Sequence, residues 1–138
     1  MNDAPIAVIS FNRPVLLARL LDTLKLQSGI DLSRRQIALF QDGWLDPDTR
    51  TPVKDLNTGL VICDESVSAE CKKIFLDRFP NGYVFSGEDN LGIAFNIDRA
   101  ERFVFEHCQA QAGVFFEDDL ELGPFYLDTL SKLISIAL

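Results

Sequence analysis

The sequence predicts an α/β fold, a mainly parallel sheet with helices on both faces. Short continuous apolar runs, such as Ile6-Ala-Val-Ile-Ser10 and Gly113-Val-Phe-Phe116, have the length and composition of strands buried on both sides. Stretches with apolar residues at helical spacing separate them. Strands that alternate with helices need crossover connections, and those connections make neighbouring strands parallel.

The first strand, 6–10, breaks at Phe11-Asn12-Arg13-Pro14, and Pro is well suited to the first turn of a helix. A helix over 14–27 follows, with Leu16, Leu17, Leu20, Leu21 and Leu24 on one face and Gly29 ending it. Gln36 to Phe40 forms a second strand, closed by Gln41-Asp42-Gly43. From 44 to 65 the pattern is broken by Pro47, Pro52, Asn57 and Gly59, so this stretch is expected to be an insertion or long loop. Val67, Cys71, Ile74, Phe75 and Phe79 mark a helix over 67–79, stopped by Pro80-Asn81-Gly82. A third strand covers 83–86. Asn90 is the expected N-cap of a helix over 91–108 that buries Ile93, Ile97, Ala100, Val104 and Cys108. The fourth strand, 113–116, runs into Glu117-Asp118-Asp119, and a last helix over 124–137 carries Tyr126, Leu130, Leu133 and Ile134.

The 138 residues suffice for one domain, 1–138, with a real core; 47% are hydrophobic and 25% charged, which excludes a disordered chain. Net charge is −8, from 21 acidic and 13 basic residues, and no basic cluster stands out, so no nucleic-acid partner is expected. No run approaches the roughly 20 apolar residues of a membrane span. The three cysteines, Cys63, Cys71 and Cys108, show no CxxC spacing, and the N-terminus has no leader pattern. A cytoplasmic location is the expectation. The apolar pattern of the last helix stops abruptly, which reads as a truncated chain whose exposed helix face could pair copies into a homo-oligomer.

In parallel sheets ligands bind beyond the carboxyl ends of the strands. Asn12-Arg13, Asp42, Glu88-Asp89-Asn90 and the acidic triplet all fall there. Three adjacent carboxylates repel one another unless a cation compensates them. A hard divalent ion, Mn²⁺ or Mg²⁺, suits oxygen ligands and shares them with phosphates. Strand alternation points Glu117 and Asp119 to one side and Asp118 to the other. The alternative is a solvated acidic turn favoured by the next helix's dipole. Arg13 could equally be a surface cation at a helix start, and Asp42 a turn-former before Gly43. His107 and Cys108, adjacent on a helix, face different ways, so shared ligation is not expected. Trp44 could stack on a sugar or base, or simply anchor its loop.

The run Gly113-Val-Phe-Phe-Glu-Asp-Asp-Leu-Glu-Leu-Gly-Pro-Phe-Tyr126 resembles the metal-binding segment of glycosyltransferases with the Rossmann-like GT-A nucleotide-diphospho-sugar transferase fold. It is most similar to the N-acetylglucosaminyltransferases that act on protein-linked mannose. Pro5-Ile-Ala-Val-Ile-Ser-Phe-Asn-Arg-Pro14, Phe40-Gln-Asp-Gly43 and Asn90-Leu-Gly92 resemble further motifs of that family, in the same order. The resemblance covers 5–43 and 81–131 and lapses over 44–65. It implies binding of a nucleotide-sugar donor, a UDP-sugar above all, with a divalent cation, and transfer of the sugar to a hydroxyl acceptor.

By that resemblance Asp119 would hold the metal, Asp118 would contact the ribose or a metal-bound water, and Glu117 would organise the donor-sugar site. Arg13, beside Asn12, would approach the phosphate or base, and Asp42 would hydrogen-bond the base. The family normally continues into an acceptor-binding half that carries the catalytic base. That half is expected to be missing, and no catalytic base is assigned; Glu121 reads as structural. Two other functions stay open. One is a nucleotide-binding module without turnover. The other is a receiver-like signalling domain, disfavoured because the first strand ends Ser10-Phe-Asn-Arg-Pro14 without an acidic pair.

Overall fold

The computed structural model describes residues 3–138. Four strands, β1 (Ile6–Ser10), β2 (Ile37–Gln41), β3 (Tyr83–Phe85) and β4 (Val114–Glu117), form one parallel sheet in the order β3-β2-β1-β4. The helices are α1 (Pro14–Lys25), α2 (Glu65–Arg78), α3 (Ile93–Arg102) and α4 (Tyr126–Ala137). This is the predicted α/β architecture, except that β4, read as buried on both sides, is an edge strand buried on one face only, with Phe115 turned outward. The order matches the first four strands of a doubly wound dinucleotide fold; the other common order, 2-1-3-4-5, would put the third strand beside the first.

Side-chain alternation divides the core in two. Ile6, Val8, Ile37, Leu39, Val114 and Phe116 face one way and pack under α1, α2 and α4, through Leu17, Leu20, Leu24, Cys71, Phe75 and Leu127. Ala7, Ile9, Ala38 and Phe40 face the other way and pack under α3 and the turn that follows it, through Ala100, Phe103 and Val104. Crossovers between parallel strands keep one hand. The steps β1 to β2 to β3 march outward, so α1 and α2 share a face. The return from β3 across the sheet to β4 reverses direction and carries α3 to the opposite face.

Several expected boundaries shift for local reasons. The second helix begins at Glu65 because Asp64 caps it, accepting from the Val67 N–H at 3.0 Å. Asn90 is not the cap of α3. Gly92, at φ 82°, takes that position, and the Asn90 amide is spent on the end of β2 instead. Ile93, expected to be buried, is exposed in the first turn of α3, where it faces an open cavity. After α3 the chain widens into a π-helical turn, Phe103–His107, whose Phe103 ring lies 5.3 Å from Phe85 and 5.7 Å from Phe40. The last helix starts at Tyr126 rather than 124. Leu130 and Ile134 turn inward onto the core, so its outward apolar residues are Tyr126, Leu133 and Ile136.

The 44–65 stretch is irregular, as expected, but it is tied down. Asp46 accepts from the N–H groups of Asp48 and Thr49, and Asp55 from those of Asn57 and Thr58, so each closes a turn. Leu45 donates to Glu88 O at 2.9 Å and Asn90 donates back to Leu45 O at 2.8 Å. Gly43 lets the two segments meet: a Cβ there would lie 2.2 Å from Asp89 O.

Phe75 is fully buried between the sheet and α1, with its ring against Phe79 and over Gly82. Phe75→Ala should cost about 3–5 kcal/mol, the usual penalty for emptying a buried aromatic site. Urea melts should show a lower midpoint at unchanged slope, since the surface exposed on unfolding stays nearly the same.

Candidate functional site

The reversal of strand order leaves a crevice beyond the carboxyl ends of β1 and β4, where no crossover helix covers the sheet's rim. A cavity of about 270 Å³ opens there. Its lining includes Asn12 and Arg13 after β1, Asp42 after β2, Asn90 and Gly92 before α3, and Glu117 and Asp118 at the end of β4. Five of the six residues expected to bind substrate or metal therefore meet in one place. The sixth, Asp119, lies beside them but outside the lining. Trp44, half-buried, does not reach the cavity.

The acidic segment alternates in exposure, although β4 ends at Glu117 and Asp118-Asp119 lie in the turn that follows. Phe116 is buried, Glu117 exposed, and Asp118 buried with its side chain 4% exposed; the Asp119 side chain is 43% exposed. Arg13, ending the loop after β1, bridges the two aspartates. Its Nη2 donates to Asp118 Oδ1 at 2.5 Å, and its Nη1 lies 3.6 Å from Asp119 Oδ2.

The charge balance of this pair is uneven. The hydrogen bond to Asp118 raises the Arg13 pKa above its usual value, which favours the guanidinium form. Asp118 is nevertheless shifted upward: burial outweighs the hydrogen bond and charge of Arg13, and Asp119 adds repulsion. The desolvation cost falls on Asp118 because Arg13 keeps 47% of its side chain in solvent.

Asp42 is placed differently from a simple ligand contact. Its Oδ1 accepts from Gly43 N–H and Leu91 N–H, both at 2.8 Å, and its Oδ2 accepts from Asn90 Nδ2 and Gly92 N–H, both at 3.1 Å. Asn12 is also engaged, donating Nδ2 to Ile62 O at 2.9 Å and so anchoring the long loop beside the cavity. Glu121 lies 3.7 Å from Arg19 Nε on the surface, in keeping with a structural role.

Asn96 was not anticipated. It is buried, lines the cavity, donates to Phe40 O at 2.9 Å and accepts from Arg99 Nη2 at 2.6 Å. The signal was present: Asn96 stands among Ile97 and Ala100 on the buried side of α3, where an unpaired amide would be costly. Ser10, also buried, lines the cavity at the end of β1.

Among the described residues, no three His, Cys, Asp or Glu side chains converge as a ready metal cage. No helix among them is long and apolar enough to cross a membrane. Scanning the chain against protein-family models and searching it against curated proteins gives no match.

The shift on Asp118 has a signed consequence. A carboxyl whose folded pKa lies above its unfolded value favours the folded state when protonated, and loses that advantage as pH rises through the gap. Asp118→Asn should therefore unfold at a higher temperature than the parent around pH 7, with the gain fading toward about pH 3, where Asp118 is itself protonated. Thermal melts across that range measure it.

Proposed function

We propose that this chain is the nucleotide-sugar-binding part of a metal-dependent glycosyltransferase of the GT-A type, taking a nucleoside diphosphate sugar as donor. The observation that carries this is the meeting of Arg13 with Glu117-Asp118-Asp119 at the β1/β4 crevice. One cation and three carboxylates at a strand-order reversal form a site of mixed charge. A diphosphate can enter it only with a counter-ion.

The donor set fits a hard divalent ion. Asp119 offers a solvent-accessible carboxylate at the rim, with Asp118 next to it. Mg²⁺ and ions like it are commonly held by one or two carboxylates and completed by substrate phosphates. Asp119 would be the direct ligand, and Asp118 would support it or meet a ribose hydroxyl. When bound, such an ion stabilises negative charge gathering on a departing diphosphate.

The chain's own groups do the rest of the binding. Arg13 can leave Asp119 for a phosphate oxygen, because its contact there is long while its bond to Asp118 is short and holds the guanidinium in place. Glu117, exposed and facing the cavity, stands where the donor sugar would lie. Ile9, Phe11 and Ile93 give the cavity an apolar side suited to the face of a base. A hydroxyl acceptor, and the half of an enzyme that would hold it, belong to this same proposal.

Calorimetry with Mn²⁺ tests it. The ion should bind weakly alone and more tightly with UDP, since phosphate oxygens complete a shell the carboxylates only begin. Losing even a supporting partner of a metal ligand costs about 10–100-fold in affinity. Asp119→Asn should thus remove at least about tenfold of the metal-dependent gain in UDP affinity. An unchanged gain would show that Asp119 is not the ligand.

A further inference from the structure

A carboxylate has about four acceptor sites, two on each oxygen. The four hydrogen bonds described above fill those of Asp42, which is 4% exposed. Three of the four donors belong to Asn90, Leu91 and Gly92, the turn that leads into α3. That turn carries the far wall of the cavity, because Gly92, Ile93 and Asn96 all line it. A base that donated a hydrogen bond to Asp42 would displace the N–H of Leu91 or Gly92 from its acceptor site. The exchange gains little, since the displaced N–H is part-buried and its lost bond offsets the new one.

We propose that Asp42 is a positioning residue: it locks the Asn90–Gly92 turn, and with it the α3 wall of the cavity, to the end of β2, and it does not itself read the ligand. The neighbouring contacts act in the same sense. Asn90 Nδ2 also reaches Gly43 O at 2.9 Å, and Asn96 Nδ2 ties the first turns of α3 to Phe40 O at the end of the same strand. Gly92 at φ 82° allows its N–H to turn back toward the carboxylate, a backbone state in which side chains are strained. Selectivity for a base then falls to other groups of the cavity, and Asp42 sets only whether the wall stands in the right place.

The second half of this assignment rests on the nucleotide function proposed above, so the experiment has two arms. In the first, amide hydrogen exchange at Leu91 and Gly92 is compared in the parent, Asp42→Asn and Asn90→Ala. Asn keeps one acceptor oxygen, so Asp42→Asn should lose protection at one or both amides by roughly tenfold or more, the loss expected when a charged acceptor is withdrawn. Asn90→Ala leaves both backbone bonds in place and should lose less; it keeps the test available if Asp42→Asn folds poorly. Unchanged protection in Asp42→Asn overturns the clamp, and so does a larger loss in Asn90→Ala.

In the second arm, UDP, GDP and ADP are titrated with Mn²⁺ into the same proteins. Asp42→Asn should weaken all three by a common factor, leaving their ratios within about twofold, because a displaced wall affects every base alike. A loss confined to UDP would show that Asp42 reads the base and would overturn the proposal. If the parent binds none of the three, the nucleotide function fails by itself, and the exchange arm alone decides whether Asp42 is a clamp.

Discussion

The single hand of the crossover between parallel strands shapes nearly everything in this molecule. Strands added in one direction from β1 send their helices to one face, and only a reversal fills the other. The chain reverses once, between β3 and β4, and the jump places β4 against the free side of β1. That event supplies the second layer, α3, and separates the chain ends at the carboxyl rim of β1 and β4. The crevice is thus a by-product of covering both faces of the sheet. Residues at those two strand ends meet although Arg13 and Asp118 are 105 positions apart.

What the crevice holds is costly by design of its charges. Asp118 is buried deeply enough that Arg13 only partly offsets the desolvation, and Asp119 stands close by with the same sign. A carboxylate kept in such a place contributes little to folding. Under the function proposed above, its worth would lie in what the arrangement accepts from outside, a counter-ion or a hydroxyl, which is the trade between stability and function common at binding sites. Arg13 suits the part because a guanidinium can hold one carboxylate firmly and another loosely through separate nitrogens.

The strands and helices were legible because each depends on local pattern. Runs such as Ile6 to Ser10 are apolar throughout, as only a strand covered on both faces demands, and the helix stripes hold apart from Ile93, which is exposed at the start of α3. The ends were less legible. Asn90 looks like a cap by residue type, yet its amide goes to Asp42, a partner 48 positions away that no local rule can see. Tyr126 and Leu130 share one apolar pattern, but only the seating of α4 on the first apolar layer decides which of them turns inward. The candidate site divides likewise. The acidic segment and Arg13 could be read from strand ends. Whether Asp42 offers its oxygens outward or spends them on the next loop depends on the approach of 88–92 to Gly43, which exists only in the folded chain.

The loops of the site are held mainly by side chains bonding to backbone, not by ladders, and this sets how the site can respond to change. Phe11 O, at the root of the Asn12-Arg13 loop, accepts from Gln41 Nε2 at 2.7 Å and lies 3.9 Å from the sulfurs of both Cys63 and Cys71. Burial pushes each of those thiols up to about 11, so they stay protonated and serve as weak donors, not as nucleophiles. Asn12 then fastens the long loop through Ile62, and Asp42 fastens the α3 turn. Each anchor is a few hydrogen bonds, from one at Asn12 to three at the Asp42 carboxylate, worth about 1 kcal/mol apiece between neutral groups and about 1.5–3 to a charged one, small against the burial of the two apolar layers. Loss of an anchor would therefore leave the sheet standing and move one wall of the crevice. Fold and site are separable here because different forces hold them.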